Sequence, residues 1–259
     1  MSDVVSERAG EVHGTQEELA DPRRGPVAKY RQMVVGSAGL GGVIKYELLT
    51  GLLGNMPGML GLGLRQVLYR FLFRELGRGV VIGRGVTIRH PGRIRIGNRV
   101  VIEDGVVLDA KGDRGEGIIL RDGAFLGRGT ILSMRGGTIE IAEGANIGSY
   151  CRIGTFADTR IGRKVLLAAY VYVVGGGHRS DRTDIPILDQ PLEGKGGAEI
   201  GDGCWIGAHA LVMDGVKIGN DSIIGAHSLV TRDIPPFSVA FGSPARVRRD
   251  RRGSGGVRT

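Results

Sequence analysis

The chain has little of what several common classes of protein require. Only 5% of its 259 residues are aromatic, and it has one tryptophan and two cysteines, Cys151 and Cys204. Two cysteines are too few for a disulfide scaffold or a Cys-type zinc site, so we expect buried small residues in a reducing compartment. The N-terminus is polar, without a secretory signal, and the longest uncharged stretch, residues 48–64, is too short and glycine-rich for a transmembrane helix. These absences predict a cytoplasmic protein.

Glycine is abundant, with 47 residues in the chain, whereas the usual share is roughly 7%. A helical bundle is disfavoured because each glycine inside a helix costs about 1 kcal/mol. The glycines do not recur at every third position, which excludes collagen. Hydrophobic residues make up 41% of the chain, enough to bury a core and exclude general disorder. The composition favours a repetitive β architecture with many turns.

An aliphatic residue recurs every six positions through most of the chain, often followed by glycine. The triplets are Ile82, Ile88, Ile94; Ile96, Ile102, Leu108; Leu120, Leu126, Leu132; Ile141, Ile147, Ile153; Ile161, Leu167, Val173; Ile200, Ile206, Val212; and Ile218, Ile224, Val230. This spacing predicts an all-β, triangular solenoid with three short strands per coil and one aliphatic side chain inside each face. One coil cannot bury its own interior, but a stack of parallel-paired coils can.

The triplets and the segment GCWIGAHALVMDGVKIGNDSIIGAHSLVTRDIPPFSVAFGSPARVRR, from Gly203 to Arg249, resemble the hexapeptide-repeat acyltransferases. The likeness is to the sugar O-acetyltransferases of the maltose/galactoside type and covers roughly residues 80–249. It implies a left-handed parallel β-helix of about seven coils, a homotrimer, and acetyl-CoA as cosubstrate with no metal expected. The implied function is O-acetylation of a sugar hydroxyl during cell-surface polysaccharide or glycoconjugate synthesis.

Four regions follow from composition and the repeat. Residues 1–28 are predicted to be a disordered polar tail, and residues 29–77 an apolar, glycine-rich helical segment. Residues 78–235 would form the β-helix, interrupted by an extruded loop at 174–199. Residues 236–259 would form a C-terminal segment with a basic tail. No aromatic residues are interleaved with those basic residues, so nucleic-acid binding is not expected.

The segment 29–77 has two open interpretations. In RQVLYRFLFREL, Val67, Leu68, Phe71 and Leu72 would share one helical face. The segment could be a cap that closes the open end of the solenoid. Alternatively, it could lie on a membrane surface, with Arg65, Arg70 and Arg74 meeting lipid phosphates at the inner face of the membrane.

The repeat is broken most severely by the loop at 174–199, and long loops on rigid scaffolds often carry function. The resemblance places the family's catalytic histidine at His178, and the family's H-x-x-D and PI elements recur as His178, Asp181, Pro186 and Ile187. Imidazole titrates near neutral pH and suits a general base for a sugar hydroxyl that attacks a thioester. Asp181 or a loop carbonyl would hold its tautomer. No GxSxG elbow or catalytic-looking cysteine is present, which favours direct transfer.

The donor site implied by the resemblance lies in the last two coils, where coenzyme A occupies the groove between adjacent prisms in that family. The matching positions here are Trp205, Ala208, Ala226, Thr231, Arg232, Pro244, Arg246 and Arg249. A backbone N–H near Ala208 would hold the oxyanion. Packing of Trp205 at a coil corner and a solvated tail for the last two arginines stay open as alternatives.

The acceptor site matches the family less well. The family's sugar-contacting positions fall on Gly148 and Phe156, while Asn146, Tyr150 and Asp158 lie nearby and are predicted to take their place. This departure leaves a larger glycan, a lipid-linked sugar or a nucleotide sugar open as the acceptor.

Three other functions compete with sugar O-acetylation. An N-acetyltransferase acting on an amino sugar would share every donor feature. A non-catalytic solenoid scaffold would keep the repeat but would need neither the loop nor the phosphate-binding arginines. A metal enzyme like the γ-class carbonic anhydrases could use His209 and His227, which are 18 residues apart and should stack on one corner, although the only spare candidate for a third ligand, His90, lies near the opposite end.

Overall fold

The computed structural model describes residues 25–36, 39–112 and 114–253. Nearly all of the predicted polar tail and the end of the basic tail lie outside these residues. The described chain begins with three helices, α1 (Pro26–Val34), α2 (Leu40–Leu53) and α3 (Gly58–Leu68), and 3-10 turns occur at Tyr69–Phe71, Pro91–Arg93 and Ile187–Asp189.

The strands form three parallel sheets, which we call faces A, B and C. Face A contains β1 (Glu75–Leu76), β4 (Ile94–Ile96), β7 (Gly117–Leu120), β10 (Thr138–Ile141), β13 (Thr159–Ile161), β18 (Glu199–Ile200) and β21 (Lys217–Ile218). Face B contains β2 (Val81–Ile82), β5 (Val101–Ile102), β8 (Phe125–Leu126), β11 (Asn146–Ile147), β14 (Leu166–Leu167), β19 (Trp205–Ile206), β22 (Ile223–Ile224) and β24 (Ser238–Gly242), with β25 (Ala245–Asp250) antiparallel to β24. Face C contains β3 (Thr87–Arg89), β6 (Val107–Asp109), β9 (Ile131–Met134), β12 (Arg152–Thr155), β15 (Tyr172–Val173), β20 (Leu211–Val212) and β23 (Leu229–Val230). A separate hairpin joins β16 (Gly177–His178) to β17 (Leu192–Glu193).

The core is a set of aliphatic columns inside the coils. In face B, for example, Ile82 pairs with Ile102, and Ile102 with Leu126. All three side chains are fully buried. The predicted parallel solenoid of about seven turns is therefore confirmed, and its stability comes from stacking because each coil buries the interior of the next.

One member of the first predicted triplet, Ile94, was misplaced, whereas Ile82 and Ile88 lie in the first coil as predicted. Leu76 pairs with Ile96, so it belongs to the first coil in the position that the sequence prediction gave to Ile94. Ile94 lies in the same strand as Ile96, two residues earlier, and pairs with Ile118. The reason is the 3-10 turn Pro91–Arg93, which lengthens that corner beyond six residues.

Buried polar groups attach the helices to the first coil. Tyr46 donates its hydroxyl proton to the carbonyl of Ile88 at 2.7 Å. Arg65 is only 3% exposed, and it donates through Nε to the carbonyl of Ile82 at 2.8 Å. Its Nη1 donates to the carbonyls of Leu53 and Met56, both at 2.8 Å. Arg65 therefore holds the helices on the prism and does not face lipid phosphates, which corrects the prediction for this residue.

The end of α3 and the 3-10 turn that follows it do not present one common apolar face. Val67 and Phe71 are about half exposed, whereas Leu72 is buried, so the predicted common face of Val67, Leu68, Phe71 and Leu72 is wrong. The helix tightens into the 3-10 turn Tyr69–Phe71, which changes the rotation per residue. Among the described residues, no helix is long and apolar enough to cross a membrane.

The three faces differ in the side chains that point outward. On face A the outward positions are mostly charged: Glu75, Arg95, Ile119, Glu140, Arg160, Glu199 and Lys217. On face B they are Val81, Val101, Phe125, Asn146, Leu166, Trp205, Ile223 and Val239, followed by Arg249 on β25. On face C they are Thr87, Val107, Ile131, Arg152, Tyr172, Leu211 and Leu229. Charges of opposite sign on face A pair along the column, as Arg95 Nε does with the Glu75 carboxylate at 3.2 Å and Arg160 Nε with the Glu140 carboxylate at 3.9 Å.

Candidate active site

The extruded loop leaves the prism after β15 through a narrow neck. Gly175 passes so close to the coil below that a Cβ would lie 2.1 Å from the Cα of Thr155. Gly176 has a φ of +132°, and a Cβ there would lie 2.4 Å from the ring of Phe156. Only glycine fits both positions. The chain beyond these two glycines forms the β16–β17 hairpin, in which His178 pairs with Leu192.

The ring of His178 is oriented by a backbone carbonyl. Its Nδ1 lies 3.1 Å from the carbonyl oxygen of Gln190. A carbonyl oxygen can only accept, so Nδ1 carries the proton and donates it, which leaves the Nε2 lone pair free. The side chain is exposed at the surface. A histidine held in this tautomer can accept a proton from a bound hydroxyl.

Gln190 is a positioning residue that the sequence analysis missed. It is 1% exposed, although it belongs to a surface loop. Its Nε2 donates to the carbonyl of Arg182 at 2.8 Å, and its Oε1 accepts from the N–H of Arg182 at 3.3 Å. The buried amide thus closes the loop on itself, and the same residue's carbonyl orients His178. Only the path of the loop reveals these partners, so the sequence held no signal for them.

Asp181 contacts its neighbour Arg179 and not the histidine. Its carboxylate accepts hydrogen bonds from Nε and Nη2 of Arg179 at 2.9 and 2.7 Å. These bonds hold the pKa of the Asp181 carboxyl below its usual value. Both residues are well exposed. Of the two orienting groups that the sequence left open, the one bonded to His178 is the loop carbonyl.

The two cysteines are buried, as expected. The Sγ of Cys151 donates to the carbonyl of Ala168, and that of Cys204 to the carbonyl of Gly219, both at 3.1 Å. Burial raises the pKa of both thiols to about 11. The thiols therefore stay protonated near neutral pH, and neither has the character of a nucleophile.

The predicted donor residues lie on and around the last coils of the prism. Trp205 is half exposed on the outside of face B. Ala208 and Ala226 occupy successive coils at the edge where face B turns into face C, and His227 N–H donates to the carbonyl of Ala208 at 2.9 Å. A Cβ on Gly207 would lie 2.5 Å from the backbone nitrogen of Ala226, so the coils stack tightly here.

The remaining donor positions surround the end of the solenoid. Thr231 and Arg232 follow β23 at the far side of face C and are exposed. Pro244, preceded by a cis peptide bond, lies in the turn between β24 and β25. Arg246 and Arg249 lie on β25, at the margin of face B, and both are exposed. The predicted set is thus spread over two faces and one edge of a single chain.

The predicted acceptor residues are not brought together within one chain. Asn146 points outward from face B, and Tyr150 lies at the edge between faces B and C. Asp158 lies beside the returning end of the loop, where a Cβ on Gly197 would be 1.9 Å from its carbonyl oxygen. Gly148 cannot carry a side chain, because a Cβ there would lie 2.8 Å from Ala168 backbone.

Four aromatic rings form a column along the edge between faces B and C. The rings of Tyr150, Tyr170, His209 and His227 are stacked nearly parallel, with centroids 5.4, 4.8 and 4.8 Å apart. The stacking predicted for His209 and His227 is confirmed, and the two tyrosines extend it. All four residues have left-handed backbone, with φ between 56° and 62°. Within residues 25–36, 39–112 and 114–253, no group of three or more His, Cys, Asp or Glu could hold a metal ion.

Comparison with known proteins finds similarity over parts of the chain. Residues 197–232 match the bacterial transferase hexapeptide family (six repeats). The chain is 31% identical over 115 residues to a probable acetyltransferase of Mycobacterium tuberculosis, covering 44% of this chain and 38% of the relative. It is 42% identical over 114 residues to nodulation protein L of Rhizobium meliloti, covering 44% of this chain and 60% of the relative.

These matches are partial, because the chain spans 38% and 60% of the lengths of these two relatives. Among solved structures, a variant of AntD, an N-acyltransferase from Bacillus cereus, superposes with a TM-score of 0.50 at 22% identity. The superposition covers 73% of this chain and 89% of AntD, which was solved with dTDP-4-amino-4,6-dideoxyglucose and coenzyme A. This likeness is one of fold.

Proposed function

We propose that the protein is an acetyl-CoA-dependent acetyltransferase that acylates a sugar hydroxyl, in the synthesis of a cell-surface polysaccharide or glycoconjugate. The observation that carries the proposal is His178. It stands on a loop that the solenoid does not need, and its Nδ1 donates to the Gln190 carbonyl so that Nε2 is free. Two relatives in sequence are named a probable acetyltransferase and a chloramphenicol acetyltransferase, which supports the same class of reaction.

The proposed reaction is a direct transfer. His178 Nε2 accepts the hydroxyl proton as the sugar oxygen attacks the carbonyl carbon of the thioester. A backbone N–H near Ala208 stabilises the oxyanion that forms. The carbon–sulfur bond then breaks, and His178 returns its proton to the leaving thiolate, so that the products are an acetyl ester and a free thiol. The two cysteines support direct transfer, because their thiols stay protonated and neither is available as the nucleophile that would form an acyl-enzyme.

We further propose a homotrimer with faces B and C turned toward neighbouring copies. Their outward positions are almost uncharged, whereas face A carries ion pairs suited to water. Two faces of a triangular prism meet at an angle of about 60°. Three prisms that place the edge between faces B and C at a common axis therefore fill only half of the circle, and three wedge-shaped grooves remain between them. Each groove would be bounded by face C of one copy, with its His178 loop, and by face B of the next, with Trp205. This arrangement would bring together residues that a single chain keeps apart.

Mixed trimers test the shared site. His178→Ala removes the base, and Ala226→Trp blocks the donor groove, so each variant alone is expected to be nearly inactive. If the base and the donor groove come from different subunits, refolding the two variants together in equal amounts restores about a quarter of the wild-type activity, because one site in four has both intact halves. The measurement is thiol release after co-refolding, with separately refolded and then mixed variants as the control. Recovery no greater than in that control would place both halves in one chain.

Thiol release from acetyl-CoA with a panel of sugars tests the chemistry. We expect release that depends on a sugar acceptor and a product that loses its acetyl group in mild alkali, because esters hydrolyse there and amides survive. An alkali-stable product would assign the protein to N-acetylation of an amino sugar, the substrate class present in the AntD complex. Acetyl-CoA that does not bind at all would contradict both activities and favour a scaffold.

A further inference from the structure

Helix α2 is apolar on both of its sides, although only one side faces the protein. Toward the prism it buries Tyr46 and Leu53. On the opposite side, Leu40, Ile44, Leu48 and Leu52 recur at every fourth position and are 67%, 54%, 56% and 67% exposed. We call these four residues the cap stripe. A helix with apolar residues on two sides is normally covered on both of them. Within the described residues nothing covers the cap stripe.

Exposed apolar side chains continue in the following helix. Met59 and Leu60, in the first turn of α3, are 92% and 70% exposed. Phe71 is 55% exposed, and the guanidinium of Arg70 lies 5.4 Å above its ring. The end of the molecule that carries the helices therefore exposes far more apolar surface than a solvated surface requires.

The charge around this surface is positive. Residues 25–74 contain six basic residues, Lys29, Arg31, Lys45, Arg65, Arg70 and Arg74, and one acidic residue, Glu47. Arg65 is buried, so five basic residues remain toward the surface. The single carboxylate is engaged, because the Tyr30 hydroxyl donates to it, which raises the pKa of Tyr30 to about 12.

We propose that the cap stripe docks on the surface of an anionic lipid bilayer. Apolar side chains enter the boundary between headgroups and acyl chains, while Lys45, Arg70 and Arg74 meet lipid phosphates. A second copy is a poorer occupant, because it would place one positive surface against another. The segment 1–24 has six acidic residues but only four valines and leucines, too few to cover the stripe. In the proposed trimer, parallel prisms would present three such stripes at one end and strengthen binding.

Flotation of the full-length protein with vesicles tests the proposal without acetyl-CoA or a sugar, so its outcome is separate from that of the proposed function. We expect the protein to float with vesicles of equal parts phosphatidylglycerol and phosphatidylcholine, and to bind phosphatidylcholine alone less well. Added salt should weaken binding to the anionic vesicles. A protein that remains at the bottom of the gradient with anionic vesicles overturns the proposal and assigns the stripe to another occupant.

Matched variants locate the contact. Ile44→Glu with Leu48→Glu is expected to reduce the floated fraction about tenfold or more, because two carboxylates would enter the apolar layer. Ile187→Glu with Leu188→Glu changes equally exposed residues on the distant loop and should float like the wild type. Circular dichroism should show both variants folded, since all four side chains are exposed. Equal flotation of both variants, or a cap-stripe variant that elutes as a smaller oligomer than the wild type, would contradict lipid docking.

Discussion

Replacing His178 with alanine is expected to lower acceptor-dependent thiol release from acetyl-CoA by roughly 10²- to 10⁴-fold, the range for loss of a general base. The Gln190 carbonyl fixes the proton on Nδ1, so Nε2 is the only ring nitrogen free to accept a proton. The loss should appear in kcat, while the Kd for acetyl-CoA, measured by calorimetry, should stay close to that of the wild type. The side chain is exposed, so the variant should also melt at the wild-type temperature.

Asp181→Asn is the matched control on the same loop. Its carboxylate is bonded to Arg179 and not to His178, so we expect an activity within about threefold of wild type, as for an exposed ion pair. If this variant instead lost as much activity as His178→Ala, the carboxylate and not the carbonyl would orient the base. Full activity of His178→Ala would remove the proposed mechanism.

Replacing Arg65 with methionine is expected to destabilise the attachment of the helices by about 3 kcal/mol, because carbonyl groups that bonded a buried charge lose their partner. The methionine fills much of the same volume but cannot donate to the carbonyls of Ile82, Leu53 and Met56. Hydrogen exchange should show faster opening of α2, α3 and the first coil, since a solenoid can lose an end unit while the remaining coils persist.

Arg70→Met is the control for the loss of charge. Arg70 is exposed, so its replacement should change the stability of this region by less than about 0.5 kcal/mol. Protection factors for the coils after residue 100 should be unchanged in both variants. Unaltered exchange of the helices in Arg65→Met would show that water replaces the guanidinium at the three carbonyls.

Much of the fold could be predicted because the solenoid repeats one short sequence pattern along the chain. Six residues carry the chain along one face and around a corner, and one aliphatic residue per face points inward, so the pattern is visible in the sequence. The same regularity predicted the stacking of His209 on His227. The prediction failed where a corner has a different length, as at Pro91–Arg93 before Ile96.

The candidate site was predictable only in part, because its contacts are made between distant segments. The break in the repeat and the glycines before His178 marked the loop. The role of Gln190 depends on how the loop closes on itself, and the engagement of Asp181 by Arg179 depends on rotamers, neither of which leaves a pattern in the sequence. Likewise, Arg65 has the spacing of an exposed helical residue, and only the position of the first coil turns it inward.

The sequence by itself determined the solenoid, the number of its coils and the place of the extruded loop. These depend on the six-residue spacing of the aliphatic residues, on the length of the chain and on backbone positions that only glycine can occupy. The tertiary structure decided which groups orient the candidate base, which arginine is buried and which side of α2 stays uncovered. Those properties depend on side chains and carbonyls far apart in the chain, whose contacts form only once the coils and helices have packed.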